Sequence, residues 1–552
     1  MRPHATPAGT LPAPRRRLRA ALATTLAAAL LATGWPVAPV RAQVKLPALG
    51  DAVSEDFDIL TERRLGDRIM REVRRDPAYL DDPVLQEYLL SLFDPMVAAA
   101  RARGEIDGAL DQAFAWEAFL VGERPVNAFA LPGGYVGVYL GLIALTTSRD
   151  ELASVLAHEI THVTQRHIAR GMVNAQRQTL AAMAGMILGL IAASRATTSD
   201  AAQAVVMGSQ AAAAQGQLNF SREMEREADR IGLEVLTGAG FSAQGMASLF
   251  EKMDGAMRLN DSNQYPYLRT HPLTIERISD ARLRIREATG RPAPVASPVP
   301  HALMQARARV LMDRTDPALL RLQALGQAAL SGTGPETPLA RLATLYGGAQ
   351  ASALLRDFDR AGGLLDAADA LATKSFAGDA AAMRLLAMLR VSVLAERGGP
   401  AAPLAAGLDA ALAPLARDRS RPMLLLRAQA ALARHRSGDR GAPEALRQAT
   451  EGLQTWVTEH KRDALAWLML SQVAEPLGLR LRALRAGAEA AYAGGDVLGA
   501  VDRLRVAREI AQQTRSDDYV EVSVIQSRLR ELEVERRRLL AEMRGERPED
   551  VQ

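Results

Sequence analysis

Hydrophobic positions change their spacing along this chain in a way that separates two kinds of structure. Aromatic and β-branched residues crowd together over 114–121 and again over 135–140, which predicts two strands, and Pro132-Gly133-Gly134 between them supplies a tight turn. The spacing then becomes helical. Leu152, Val155, Leu156 and Val163 recur at helical intervals, Ser148 stands three residues before Glu151 as a capping box, and the helix is expected to stop near Gly171. Residues 291–300 carry four prolines and read as an extended linker. Beyond them come almost only Ala-, Leu- and Arg-rich helices with short Gly, Asp and Pro breaks. The pattern predicts an α+β domain over 43–290, the linker 291–300, and an all-α domain over 301–552.

Within the helical half, Leu345, Ala349, Ala361, Leu365 and Ala368 fall at the spacing of a tetratricopeptide unit, as do Trp467, Ala474, Ala483, Gly487 and Ala490. Such units stack into a superhelix whose groove holds peptides or partner proteins. A plain α-bundle would give scattered matches of the same kind. At 552 residues, 48% apolar and 24% charged, the chain exceeds a single core and is too apolar to be disordered. The absence of cysteine excludes disulfides, thiolate catalysis and any cysteine-ligated metal. The formal charge of +4 does not point to nucleic acid, because the first 42 residues hold six arginines and no acid. Arg15, Arg16, Arg17 and Arg19, an apolar stretch over 20–32 and Val40-Arg41-Ala42 read as a secretory signal, which places the mature chain, from near Gln43, in a bacterial periplasm.

Candidate chemistry sits on the helix after the turn, in His158-Glu159-Ile160-Thr161-His162. Histidines at i and i+4 share a helix face, so both imidazoles reach one divalent cation, and Glu159 stands near enough to take a proton from a water held beside it. Without cysteine the third ligand must be a carboxylate or another histidine. A second helix offers Glu225 as that ligand and Asp229, four residues on, to receive the free ring N–H of a ligand histidine. Glu223 and Glu227 lie off that face and are expected as solvated charge. Two imidazoles suit zinc better than calcium or magnesium.

His158-Glu159-x-x-His162 followed by Ser221-Arg222 and Glu225-x-x-Ala228-Asp229 resembles the gluzincin metallopeptidases, the family of the CAAX prenyl proteases and the heat-shock protease HtpX. Further matches are Asn127-Ala128-Phe129-Ala130 with Pro132-Gly133-Gly134, Val163-Thr164-Gln165-Arg166-His167, and Thr270-His271-Pro272 with Arg277. The resemblance covers about residues 46–290. It implies a zinc endopeptidase with Glu159 as general base and His158, His162 and Glu225 as ligands. Members with this order of signal peptide, peptidase and tetratricopeptide domain imply quality control of outer-membrane β-barrel proteins, with the repeat domain docking the assembly machinery.

Some positions keep two readings. Asn127, Ala128, Phe129 and Ala130 resemble an edge strand that holds substrate as an added strand, or simply lead into a hairpin turn. His271 and Arg277 either stabilise the oxyanion, or His271 fills the open zinc position and holds the enzyme latent. His167 is off the ligand face of an ideal helix and is expected behind the ligands or at the surface. His4, His301, His435 and His460 are expected to face solvent. The apolar stretch 180–193, with the Ala-rich 201–215, is too short to span a bilayer and reads as a buried helix or as a lid touching membrane or client. The rival to an enzyme is a chaperone or assembly factor whose metal site is latent.

Overall fold

A computed structural model describes residues 58–173, 222–259, 265–287, 296–514 and 518–544. The secretory signal over 1–42 and the segments 180–193 and 201–215 lie outside the described residues, as does the first half of the linker; its last two residues, Val299 and Pro300, already begin a helix.

Helix α1 (Ile59–Arg75) starts on Asp58, whose carboxylate accepts the Thr61 N–H at 2.6 Å. After the short β1 (Tyr79–Leu80), α2 (Pro83–Ala102) is capped by Asp82 and opened by proline, the residue best suited to a first helical turn. Then follow α3 (Gly108–Ala113) and strands β2 (Glu117–Val121), β3 (Ala128–Leu131) and β4 (Tyr135–Tyr139). The sheet order is β1-β2-β4-β3. Both expected strands form, but they pair parallel, Glu117 opposite Tyr135 through Val121 opposite Tyr139, because β3 intervenes in the chain. The Pro132-Gly133-Gly134 turn joins β3 to β4 in an antiparallel hairpin. Gly133 and Gly134 take φ of 78° and 89° there, and a Cβ on Gly134 would meet Phe114 Cβ at 2.9 Å.

Every residue of β4 is buried, and its two faces feed different cores. Val136 and Val138 pack into the main core, whereas Tyr135 and Tyr139 join Ile69, Met70 and Val73 of α1. Helix α4 (Leu140–Leu145) leads into α5 (Arg149–Thr164), buried continuously from Glu151 to Thr164. This is the central helix of the fold, covered on all sides. It ends at Thr164, short of the expected Gly171, and α6 (His167–Val173) follows a sharp break. The capping differs in detail too: Ser148 accepts the Glu151 N–H, but the Glu151 carboxylate returns to the N–H of Thr147 instead of Ser148. Helices α7 (Arg222–Gly238), α8 (Gln244–Leu259), α9 (Pro266–Thr270) and α10 (Ile275–Glu287) complete the first half.

From α11 (Val299–Leu311) to the last helix, Tyr519–Met543, the described residues are helical, each helix packing on its sequence neighbour. Leu345 and Ala349 meet Ala361, Leu365 and Ala368 in the core between helices Pro338–Leu354 and Phe358–Ser375. The main core runs unbroken from α2 and α5 into this half. Three arginines of the helical half fork onto carboxylates beside the start of α2: Arg307 onto Asp82, Arg384 onto Glu87, and Arg421 onto Asp81, at 2.6–3.0 Å. No described helix is long and apolar enough to cross a membrane.

His301 is not solvent-facing as its sequence position suggested. It is 3% exposed, with Nδ1 2.6 Å from the Tyr88 hydroxyl and Nε2 3.0 Å from the carbonyl of Thr146, just ahead of α5. Its neighbours here are distant in sequence. His435 and His460 are exposed.

Burial lowers the His301 pKa from its ordinary 6.5, so the folded state takes up a proton less readily than the unfolded chain, and stability is lost as pH falls below that value. Between about pH 7.5 and 5.5 the wild-type chain is expected to lose about 1 kcal/mol more than His301→Gln, read from urea unfolding at each pH. Arg307→Ala strands Asp82 in the core and is expected to cost about 3–5 kcal/mol in the same measurement.

Candidate metal centre

Helices α5 and α7 approach closely because position 232 carries no side chain: a Cβ on Gly232 would sit 3.2 Å from the Ala157 carbonyl oxygen and 3.3 Å from His158 Cα. That contact sets the carboxylates of α7 against the histidines of α5. His158 Nε2 lies 3.0 Å from His162 Nε2 and 3.5 Å from Glu225 Oε2, and His162 Nε2 lies 3.4 Å from Glu225 Oε1. His271, which follows α9, brings Nδ1 to 3.3 Å from His158 Nε2 and 3.0 Å from Glu225 Oε1. One donor atom from each of the four residues lies within 4.8 Å of every other, and all four residues are buried. Four donors around zinc at 2.0–2.1 Å would stand roughly 3.3 Å apart, so the spacing, the two-imidazole chemistry and the lack of thiolates all fit zinc.

Asp229 lies behind His158, Oδ1 to Nδ1 at 3.0 Å, the place from which a carboxylate fixes a ligand tautomer. Asp229 is in turn gripped by Arg277, through Nε at 2.6 Å and Nη2 at 2.8 Å. Arg277 Nη1 reaches the Pro272 carbonyl at 2.9 Å and Glu225 Oε2 at 2.8 Å. The Arg277 guanidinium is 4% exposed and faces these partners, so its contacts position Asp229, Glu225 and the His271 loop.

Burial and the facing charges compete across the cluster. Burial opposes charge on His158, yet the facing carboxylates of Asp229 and Glu225 prevail and raise its pKa to about 10. Burial, reinforced by the neighbouring His158 and His271, holds His162 well below the usual histidine range. Burial alone would raise Glu225, but the facing His271, His158 and His162 bring it well below the carboxylate range.

Glu159 is fully buried, and among the described residues neither carboxylate oxygen accepts a hydrogen bond; His271 Nε2 stands 3.5 Å from Oε1. Tyr267 stacks on the His271 ring, centroids 4.6 Å apart and 27° between planes, and its N–H meets the Val126 carbonyl at 3.3 Å. The loop bearing His271 is thereby tied to the residue just ahead of Asn127. Tyr267 carried no sequence signal.

β3 is an edge of the sheet and packs beside α5. Tyr139 N–H bonds to the Asn127 carbonyl at 3.1 Å, so by antiparallel alternation Phe129 also bonds to β4 while Ala128 and Ala130 turn their backbone groups away from it. Ala128 is fully covered, Ala130 is half-buried, and the Phe129 ring packs edge-on between Phe119 and Tyr139. Asn127 is 9% exposed, and its side-chain oxygen has no hydrogen-bond partner among the described residues.

Nearby, Glu227 departs from its expectation, and His167 takes the first of its two expected places, behind the ligands. Glu227 stays 30% exposed but is ion-paired rather than merely solvated: the His167 N–H and Arg170 hold it, and they lower its pKa to about 2. His167 is wholly buried and touches His162.

A pair of helices bearing His-Glu-x-x-His and Glu-x-x-x-Asp, closed over a buried donor cluster, is the arrangement of a zinc metallopeptidase. Residues 86–285 match peptidase family M48. The chain is similar to the putative beta-barrel assembly-enhancing protease of Vibrio cholerae, 39% identical over 258 residues that cover 46% of this chain and 50% of that protein. It is 35% identical to the beta-barrel assembly-enhancing protease of Escherichia coli over 53% of this chain and 57% of that one. The mitochondrial metalloendopeptidase OMA1 of Saccharomyces cerevisiae is 28% identical over 34% of this chain and 53% of its own length. The chain thus spans about half the length of the curated relatives it matches.

Asp229→Asn is expected to lower zinc affinity about 10–100-fold without unfolding the chain, measured by competition with a chromophoric chelator.

Proposed function

We propose that this protein is a periplasmic zinc endopeptidase that cuts misfolded or stalled envelope proteins, outer-membrane β-barrel proteins above all. The observation that carries the reading is the orphaned carboxylate of Glu159 beside four mutually spaced donors. His158, His162 and Glu225 are the residues to hold zinc, with Asp229 behind His158. Bound zinc supplies Lewis acidity at the scissile carbonyl. Glu159 takes a proton from the attacking water and returns it to the leaving amine. The edge at β3 receives an extended client as an added strand from its Ala130 end, a mode that suits the strands of unassembled barrels. The names of the Vibrio and Escherichia relatives supply the link to β-barrel assembly. The C-terminal helices act as tetratricopeptide-type units that dock the assembly machinery, with no nucleic-acid role and at most peripheral contact with the membrane.

His271 favours a latent resting state. A hydrolytic zinc needs an open position, and His271 Nδ1 stands where a fourth donor would fill it. In that state the protein serves as an assembly factor or chaperone, and displacement of the His271 loop converts it to a protease.

Glu159→Gln is expected to bind zinc as the parent does and to lose cleavage of an unfolded protein by about 10²–10⁴-fold. Zinc uptake with undiminished cleavage would refute the role of Glu159. His271→Ala is expected to cleave faster than the parent; loss of cleavage with zinc retained would assign His271 to the oxyanion instead.

A further inference from the structure

An uninterrupted helix turns about 100° per residue, which would carry His167 about 140° round from His162. Instead α5 ends at Thr164, and Arg166 adopts φ of 51°, a left-handed conformation uncommon for a residue with a long side chain. Glu62, a carboxylate 2% exposed, holds Arg166 there at 2.9 Å. The break delivers His167 to the back of His162: the two Nδ1 atoms are 2.9 Å apart, with ring centroids 4.9 Å apart and planes at 74°. On the far side of its ring, His167 Nε2 lies 3.0 Å from Glu227 Oε2, which also takes Arg170 Nη1 at 2.9 Å.

The protons along this line fall into a consistent arrangement. His162 presents Nε2 to His158 and Glu225, so as a neutral ligand it carries its hydrogen on Nδ1. That N–H points at His167 Nδ1, which accepts it, and the His167 hydrogen then sits on Nε2 and is donated to Glu227. We propose that His167 and Glu227 are positioning residues for His162, an imidazole-to-carboxylate relay that fixes its tautomer and aim, as Asp229 does directly for His158. The inference deepens the zinc-endopeptidase reading and rests on it. Glu227 is part-exposed, so the relay connects the buried donor cluster to a carboxylate near the surface.

The test measures zinc affinity by chelator competition and the visible spectrum of the cobalt-loaded chain, with circular dichroism of the metal-free chain as the check on folding. His167→Phe, which fills the space without a polar atom, is expected to weaken zinc about 10–100-fold and to shift the cobalt bands. His167→Asn keeps an acceptor near the Nδ1 position and is expected to recover part of that loss. Glu227→Gln keeps an acceptor but not the charge, and is expected to weaken zinc in the same direction by a smaller factor. If His167→Phe does not fold, His167→Asn and Glu227→Gln decide. Zinc affinity within about twofold of the parent and unshifted cobalt bands in folded variants would overturn the relay while leaving the zinc reading intact. An unmodified chain that takes up no zinc would overturn both.

Discussion

Everything around the centre follows from burying two carboxylates of one helix against a helix that is itself buried on all sides. A carboxylate removed from water is tolerated only with cationic or hydrogen-bonding partners, and Glu225 and Asp229 have drawn theirs from separate parts of the chain. The histidines come from α5, the guanidinium from α10, and His271 from the turn between α9 and α10. Gly232 sets how near the carboxylates come, and Arg277 sets how they are aimed. The same cluster that satisfies buried charge also places four donors at zinc spacing, so the requirements of folding and of metal binding are met by one set of contacts.

The helical half bears on this centre through packing. Three arginine forks and a continuous core join it to α2, which packs on both α5 and α7. His301 adds a contact at the carbonyl of Thr146, where the chain turns into α5. A partner gripping the C-terminal helices would therefore act on a body that already holds the start of the active-site helix.

The donors on helices were legible in the sequence because helical periodicity is local: spacings of four put His158 beside His162, and Glu225 in line with Asp229. The two strands were legible from composition, but their parallel pairing was not, since it depends on β3, a segment distinguished only by its resemblance to a family strand. His167 was legible as a residue behind the ligands or at the surface, and only the break at Arg166 decides between the two. Nothing in an arginine announces a left-handed backbone, and Glu227 meets His167 only through that break. His301 was misjudged because its partners, Tyr88 and Thr146, are brought to it only by the long-range docking of α11.

One of these contacts also has a topological meaning. His167 and Arg170 stand near the end of one described segment, and Glu227 near the beginning of the next, with residues 174–221 between them. Together with Gly232 packed on α5, these side chains fasten the two ends of that insertion to each other. The two donor-bearing helices are therefore held to each other by side-chain and close backbone contacts beside the donors, and not by chain connection alone.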